Sequence, residues 1–270
     1  MTDAAADMRL GVVGLGHMGS ALVRGAVAAK VLPADEVAVL AHGDKTAAAA
    51  AKGGYAIFET SEELAARCDA VLLAVAPKDA PAALAAFGSR PPRALVSVVA
   101  GLSIAKIRGF LPDVPVVRAM PNAALELGCG ATVLCASPDC PAQARAFAER
   151  LFGTGGIVRE MDEELLDASV AVHGSTPAYV YYFVECMLDD LTRRGFARDD
   201  ARALLVQTLA GAAKLLENAP DKPLSEFVSQ VATPGGTTRA AIDVLEGGPF
   251  AEELSAANGA CIERCKKLAG

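Results

Sequence analysis

The chain has 270 residues, 53% hydrophobic and 21% charged, enough apolar material for one large domain or two smaller ones and too much for a disordered chain. Its formal net charge of −7 argues against general affinity for nucleic acid or an anionic membrane, and no apolar run reaches the roughly 18 residues that a membrane span needs. Residues Met1–Met8 carry two Asp and no Lys or Arg. They read as a frayed tail and not as a signal peptide, so a cytoplasmic location is expected, with neither nucleic acid nor membrane as a partner.

The first element carries the most information. Leu10–Val13 is a short apolar run, followed by Gly14-Leu-Gly16-His-Met-Gly19 and a helix expected to open at Ser20. A strand, three spaced glycines and a helix are what a bound dinucleotide requires. Gly14 permits the tight turn, Gly16 removes a side chain where the backbone approaches a pyrophosphate, and Gly19 lets helix and strand pack closely. The helix N-terminus adds free N–H groups for the phosphates. The competing reading is a plain tight turn in an unrelated α/β protein.

Further strands are expected at Glu36–Leu40, Ala56–Phe58, Ala70–Val75, Ala94–Val98, Val116–Ala119, Ala131–Cys135 and Gly156–Arg159. Helices fit between them at Thr46–Lys52, Ser61–Arg67, Ala80–Phe87, Ser103–Phe110 and Pro141–Leu151. Most of these strands are continuously apolar, the signature of a sheet covered on both faces, so the fold class is α/β with a doubly wound sheet. The second strand ends without the Asp or Glu that would bind a ribose 2′-hydroxyl. His42 and Lys45 follow it and are placed to meet a 2′-phosphate, with Asp44 opposing them. NADP is therefore the expected cofactor, with NAD as the alternative.

The texture changes near Asp162, which divides the chain into an expected nucleotide domain, 1–161, and an all-α domain, 162–270. Helices are expected at Glu163–Val172, Pro177–Arg194, Arg198–Asn218, Leu224–Val231, Thr237–Glu246 and Phe250–Gly270. They carry apolar residues on more than one side, which predicts burial against a second copy of the chain. The seven cysteines form no C-x-x-C pair. Cys261 and Cys265 fall one helical turn apart, but His17, His42 and His173 are scattered, so reduced thiols and no metal are expected.

Several segments have no local folding reason: Ala74-Val-Ala-Pro77, Val99-Ala-Gly-Leu102, Arg118-Ala-Met-Pro-Asn122, Gly174-Ser-Thr-Pro-Ala-Tyr179 and Thr233-Pro-Gly-Gly-Thr-Thr238. Together with the glycine loop, in this order and spacing, the chain from about residue 8 to 269 resembles Δ1-pyrroline-5-carboxylate reductase. The resemblance implies a Rossmann-type nucleotide domain followed by an all-α dimerisation domain. It also implies reduction of 1-pyrroline-5-carboxylate to L-proline by NAD(P)H, and homodimers or decamers built as pentamers of dimers. It implies further that the substrate lies between the nicotinamide and the helical domain.

Carried over residue by residue, the resemblance makes Thr238 the hydroxyl at the ring nitrogen. Thr233, Gly235, Gly236 and Thr237 fall around the substrate carboxylate, with Ser175 nearby. Gly14, Gly16, His17, Met18 and Gly19 fall on the cofactor phosphates, and Ser61 on the adenine-side ribose. Asn122 falls beside the nicotinamide and Pro77 on a loop along the cofactor, with Ala74, Val75, Ala100 and Gly101 as further cofactor contacts. The chemistry agrees, because a Pro-Gly-Gly turn entering a helix is an anion site. Hydride addition to a protonated imine needs positioning and exclusion of water more than an acid–base pair.

The chain departs from the family's usual pattern at His17, Ser61, Lys78, His173 and Thr176. For His173 the readings are a packed, hydrogen-bonded ring or a direct role at the substrate. These departures keep two alternatives open: a related reductase of another cyclic imine acid, and a nucleotide-binding paralogue without turnover.

Overall fold

A computed structural model describes residues 8–41 and 43–268. The expectations for residues 1–7, for His42 and for the last two residues of the final helix lie outside the described residues. The strands are β1 (Leu10–Val13), β2 (Val37–Leu40), β3 (Ala56–Phe58), β4 (Ala70–Leu73), β5 (Leu95–Ser97), β6 (Val116–Pro121), β7 (Gly130–Ala136) and β8 (Gly156–Glu160). They form one sheet in the order β3-β2-β1-β4-β5-β6-β7-β8. Every pairing is parallel except β6 with β7.

The exception follows from the connection. Only residues 122–129 separate β6 from β7, too few for the crossover that parallel neighbours require. The chain instead turns through a short 3-10 segment, Ala123–Leu127, that ends at Gly128 with φ +70°.

Helices cover both faces of the sheet. These are α1 (His17–Ala28), α2 (Asp44–Gly53), α3 (Ser61–Arg67), α4 (Ala80–Ala85), α5 (Ile104–Phe110) and α6 (Ala142–Gly153). The two-residue alternation of each strand sends Leu10 and Val12 into a core with Leu22 and Val23 of α1 and Phe147 and Leu151 of α6. Val13, Val71 and Leu73 point the other way, onto Leu64, Leu84 and Ile107 of α3, α4 and α5. Each fully buried side chain of this kind contributes about 1.5–3 kcal/mol.

The first helix corrects one expectation. It begins at His17 and not at Ser20. Gly16 is extended at the N-cap, and the Ser20 amide already closes a turn onto the Gly16 carbonyl at 2.9 Å. The Ser20 hydroxyl turns back to donate to the Leu15 carbonyl. Gly19 therefore sits inside the first turn.

After β8 come α7 (Glu163–Ser169) and a π-helical turn, Val170–Gly174, closed by the Ser175 amide on the Val170 carbonyl at 2.7 Å. The helices that follow are α8 (Thr176–Arg193), α9 (Arg198–Glu217), α10 (Leu224–Val231), α11 (Thr237–Gly247) and α12 (Phe250–Leu268).

By compactness the chain forms two units. The first runs to Ser175 and resumes at Cys261; the second is Thr176–Ala260. Within the second unit, α8 and α9 turn back on each other through Gly195, and Arg198 donates to Glu185 and Asp189. Only Leu188, Ala201 and Ala232 of this unit are buried apolar residues, whereas Tyr181, Tyr182, Leu204, Val244 and Phe250 are at least half exposed. Among the described residues no helix is long and apolar enough to cross a membrane, and no group of three or more His, Cys, Asp or Glu is placed to hold a metal ion.

Candidate active site

At the carboxyl ends of β1, β2 and β4 a cleft of about 500 Å³ opens, lined among others by Gly14, Leu15, Thr46, Ser61, Val75 and Asp79. The three glycines of its floor differ in what surrounds them. A Cβ added to Gly14, whose φ is +99°, would lie 2.6 Å from the Ala74 carbonyl oxygen. One added to Gly19 would lie 2.2 Å from the Gly14 carbonyl oxygen. Neither position tolerates a side chain, because β1, α1 and the end of β4 meet there. A Cβ on Gly16 would meet nothing within 4 Å. Its missing side chain leaves open approach to the backbone and to the N-terminus of α1, which no side chain caps.

Ser61 begins α3 and is buried against the cleft, yet its hydroxyl has no hydrogen-bond partner among the described residues. A buried hydroxyl left unpaired costs about 1–3 kcal/mol. Thr46, on α2, and Asp79, just before α4, also line the cleft, and sequence reasoning did not single them out. Lys45 is exposed in the first turn of α2, and His17 and Met18 open α1. The His17 ring stands 3.6 Å from Glu126, which also receives Arg24 at 3.3 Å.

The loops after β4, β5 and β6 continue along the same edge of the sheet. The Ala74 amide donates to the Val13 carbonyl, which fixes Ala74 beside the glycine turn, and Pro77 starts a 3-10 turn leading into α4. Ala100 and Gly101 lie in the loop from β5 to α5, where Gly101 has φ +73°. Asn122 follows β6. Its amide nitrogen donates to the His173 carbonyl at 3.1 Å, and its oxygen accepts the Ala131 amide at 3.2 Å. His173 is buried, and its Nε2 lies 2.6 Å from the Met120 carbonyl. A carbonyl only accepts, so Nε2 carries the proton. The packed reading of His173 thus has a defined partner.

Sequence reasoning gave no role to Arg118 itself, the largest fully buried side chain among the described residues, only 1% exposed within β6. Its guanidinium reaches Glu163 at 3.1 Å and Asp167 at 2.5 Å, both on α7. The same Glu163 oxygen accepts the Ile104 amide at the start of α5, at 2.7 Å. Cys265 donates toward Asp167 at 3.9 Å. Burial pushes the neighbouring Cys135 thiol up to about 12, and the Cys68 thiol likewise.

The remaining expected residues fall elsewhere. Ser175 closes the π turn, with its hydroxyl 3.1 Å from the Cys261 sulfur. Thr233, Gly235, Gly236, Thr237 and Thr238 lie together in the second unit, at the entry to α11. There Gly235 has φ +74° and the Gly236 amide donates to the Thr233 carbonyl at 2.9 Å. No side chain caps α11, which leaves its first N–H groups open beside the half-buried Thr238.

Residues 163–268 match a family model described as pyrroline-5-carboxylate reductase dimerisation, and residues 9–101 match one described as NADP oxidoreductase, coenzyme F420-dependent. The chain is 32% identical over 264 residues to a pyrroline-5-carboxylate reductase of Synechocystis, covering 97% of this chain and 98% of that protein. It is 30% identical over 267 residues to one from Arabidopsis thaliana, covering 98% and 96%. Among solved structures, the Plasmodium falciparum pyrroline carboxylate reductase with NADP bound superposes with a TM-score of 0.85 at 27% identity, covering 98% of this chain and 99% of that one.

Proposed function

The chain belongs to the pyrroline-5-carboxylate reductase family, and from that premise we propose that it reduces 1-pyrroline-5-carboxylate to L-proline with NAD(P)H, the last step of proline biosynthesis. It is an oxidoreductase acting on a C=N bond, with NADP as its cofactor. The observation that carries the reading is the cleft at Gly14–Gly19. It combines open approach at Gly16 alone, an uncapped helix start and an unpartnered Ser61 hydroxyl. Those three features fit a dinucleotide with its pyrophosphate on the glycine loop and its adenosine half toward β2 and α3.

In this reading Gly14, Gly16, His17, Met18 and Gly19 hold the phosphates. Ser61 bonds the ribose, and Lys45, with His42, meets the 2′-phosphate. Ala74, Val75, Pro77, Ala100, Gly101 and Asn122 border the nicotinamide half. When bound, NADPH supplies the hydride. The protein binds the substrate carboxylate on the N–H groups of Gly235, Gly236 and Thr237 and on the Thr233 hydroxyl, with Ser175 as a further contact. Thr238 orients the imine nitrogen and holds its proton. Fixed distance and exclusion of water supply the rest of the rate.

The enzyme works as a homo-oligomer, which the exposed apolar helices of the second unit and their match to a dimerisation model support. We propose a homodimer, assembled further into a pentamer of dimers, in the cytoplasm. The residue divisions 1–161 and 162–270 stand as the proposed nucleotide and dimerisation domains. His173, which with Thr176 motivates the alternative of another cyclic imine, has its ring engaged by Met120, so this residue does not favour that alternative.

The test is loss of reduced-nicotinamide absorbance with 1-pyrroline-5-carboxylate, run with NADPH and NADH and repeated with six-membered cyclic imines. Turnover of the five-membered imine with NADPH preferred is expected. Cofactor binding with turnover of none of these imines would overturn the reading.

A further inference from the structure

We propose that Glu163 is a positioning residue for the reduction: its carboxylate, anchored by buried Arg118, holds the β5–α5 loop in place through the Ile104 amide. The proposal rests on the cofactor reading above. The strand order sets where the reacting half of a dinucleotide falls. With the pyrophosphate at β1 and the adenosine half over β2 and α3, the other half extends past β4, toward the ends of β5 and β6. The loop that leaves β5 there is residues 98–103, reversed at Gly101 by a left-handed turn.

Its exit is held from a distance. Ser103 caps α5 at the Lys106 amide, which leaves the earlier amides of the helix without an internal partner. The first of them, Ile104, donates to Glu163 Oε1 at 2.7 Å, across 59 residues of chain. That oxygen is itself held by Arg118, which is almost fully buried. Asp167, one turn further along α7, gives Arg118 its second carboxylate and reaches the loop only through Cys265, whose sulfur faces the Gly101 backbone. Arg118 fixes Glu163, Glu163 fixes Ile104, and Ile104 fixes the end of the loop. Hydride transfer depends steeply on such placement, because a shift of about 1 Å costs on the order of a hundredfold in rate.

The test separates loop positioning from general support of the fold. In Glu163→Ala, kcat is expected to fall by roughly ten- to a hundredfold, with hydrogen exchange accelerated at the Ile104 amide. Glu163→Gln keeps an oxygen for Ile104 and should retain most of kcat and the slow exchange. Asp167→Ala should lower the melting temperature while leaving kcat and Ile104 exchange near wild type. Should Glu163→Ala not fold, Glu163→Asp keeps the charge, shortens the reach and is expected to show the same paired loss.

Equal loss of kcat in Glu163→Ala and Asp167→Ala would reduce Glu163 to half of a structural ion pair and overturn the proposal. So would unchanged Ile104 exchange in Glu163→Ala. Wild-type protein that binds no NADPH would overturn the cofactor reading as well, whereas normal NADPH binding with unchanged kcat in Glu163→Ala would overturn this proposal alone.

Discussion

Asn122 is bonded directly to His173, and a second bond lies two residues away. The Asn122 side chain donates to the His173 carbonyl, and the His173 ring donates to Met120, two residues before Asn122. The end of β6 and the π turn therefore clasp each other, and the Asn122 side-chain oxygen also holds the start of β7 by accepting the Ala131 amide. Asn122→Ala would leave the Ala131 amide and the His173 carbonyl unpaired, at a cost of about 1–3 kcal/mol. The variant should melt several degrees lower and bind NADPH more weakly. A melting temperature within error of wild type would show that the clasp contributes nothing.

The glycines of the cofactor loop should fail in different ways. Gly16→Val places a side chain in open space, so it should fold normally and lose NADPH binding. Gly14→Ala forces a Cβ to within 2.6 Å of the Ala74 carbonyl oxygen at a positive φ, and it should unfold the nucleotide unit at lower temperature. Calorimetry beside cofactor titration distinguishes the two. Normal NADPH affinity in Gly16→Val would remove that position from the cofactor site.

Thr238→Ala tests the substrate side. Loss of one or two hydrogen bonds to a charged or charging group lowers kcat/KM by roughly ten- to a thousandfold. NADPH affinity should not move. Wild-type turnover in this variant would take Thr238 out of the mechanism.

Assembly should respond to charge on the helical unit. Tyr182, Phe183, Cys186, Phe250 and Leu254 line an apolar groove of about 610 Å³. Phe250→Glu paired with Tyr182→Glu is expected to shift the sedimenting species toward a monomer. An unchanged mass distribution would place the subunit contact elsewhere.

Two buried thiols set an alkaline limit. Cys68 and Cys135 titrate at about 12 in the folded protein, raised from an ordinary value of 9.0 chiefly by burial. The folded state therefore holds these protons more tightly than the unfolded state. Their contribution to stability is complete below about pH 9 and declines as pH rises from 9 to 12. Denaturant midpoints measured at pH 8 and pH 10.5 should fall with pH, and less so in the double variant Cys68→Ala, Cys135→Ala. At pH 8, exposed Cys129 should be alkylated while Cys68 and Cys135 stay protected.

What could be read from the sequence was local. Strand β1, the glycine turn and most helix positions follow from short-range apolar patterns, and Ala56–Phe58, Ser61–Arg67 and Leu224–Val231 have the same ends in sequence and structure. The reversed direction of β7 has no signal in its own residues, since an apolar run reads alike in either direction; the short stretch 122–129 before it was the available clue. The first helix starts early because Gly16 accepts the N-cap backbone that pattern reading gave to the residue before Ser20. Arg118 looked like one charge in a strand, because its partners lie 45 and 49 residues away. The unpaired hydroxyl of Ser61, and the places of Thr46 and Asp79 in the cleft, depend on how three strand ends converge. The π turn is closed by the Ser175 amide on Val170 and tied to β6 by His173, whose partner Met120 lies 53 residues away.

The return of the chain at Cys261 carries a consequence for biosynthesis. The sheet unit is not closed when its last strand has been made. Cys265 is buried in it beside Asp167, after the whole of Thr176–Ala260 has been inserted between. A nascent chain that has reached β8 has every strand and yet lacks Cys265, which packs beside Asp167 of α7. During translation the nucleotide unit must wait until synthesis has passed Cys265.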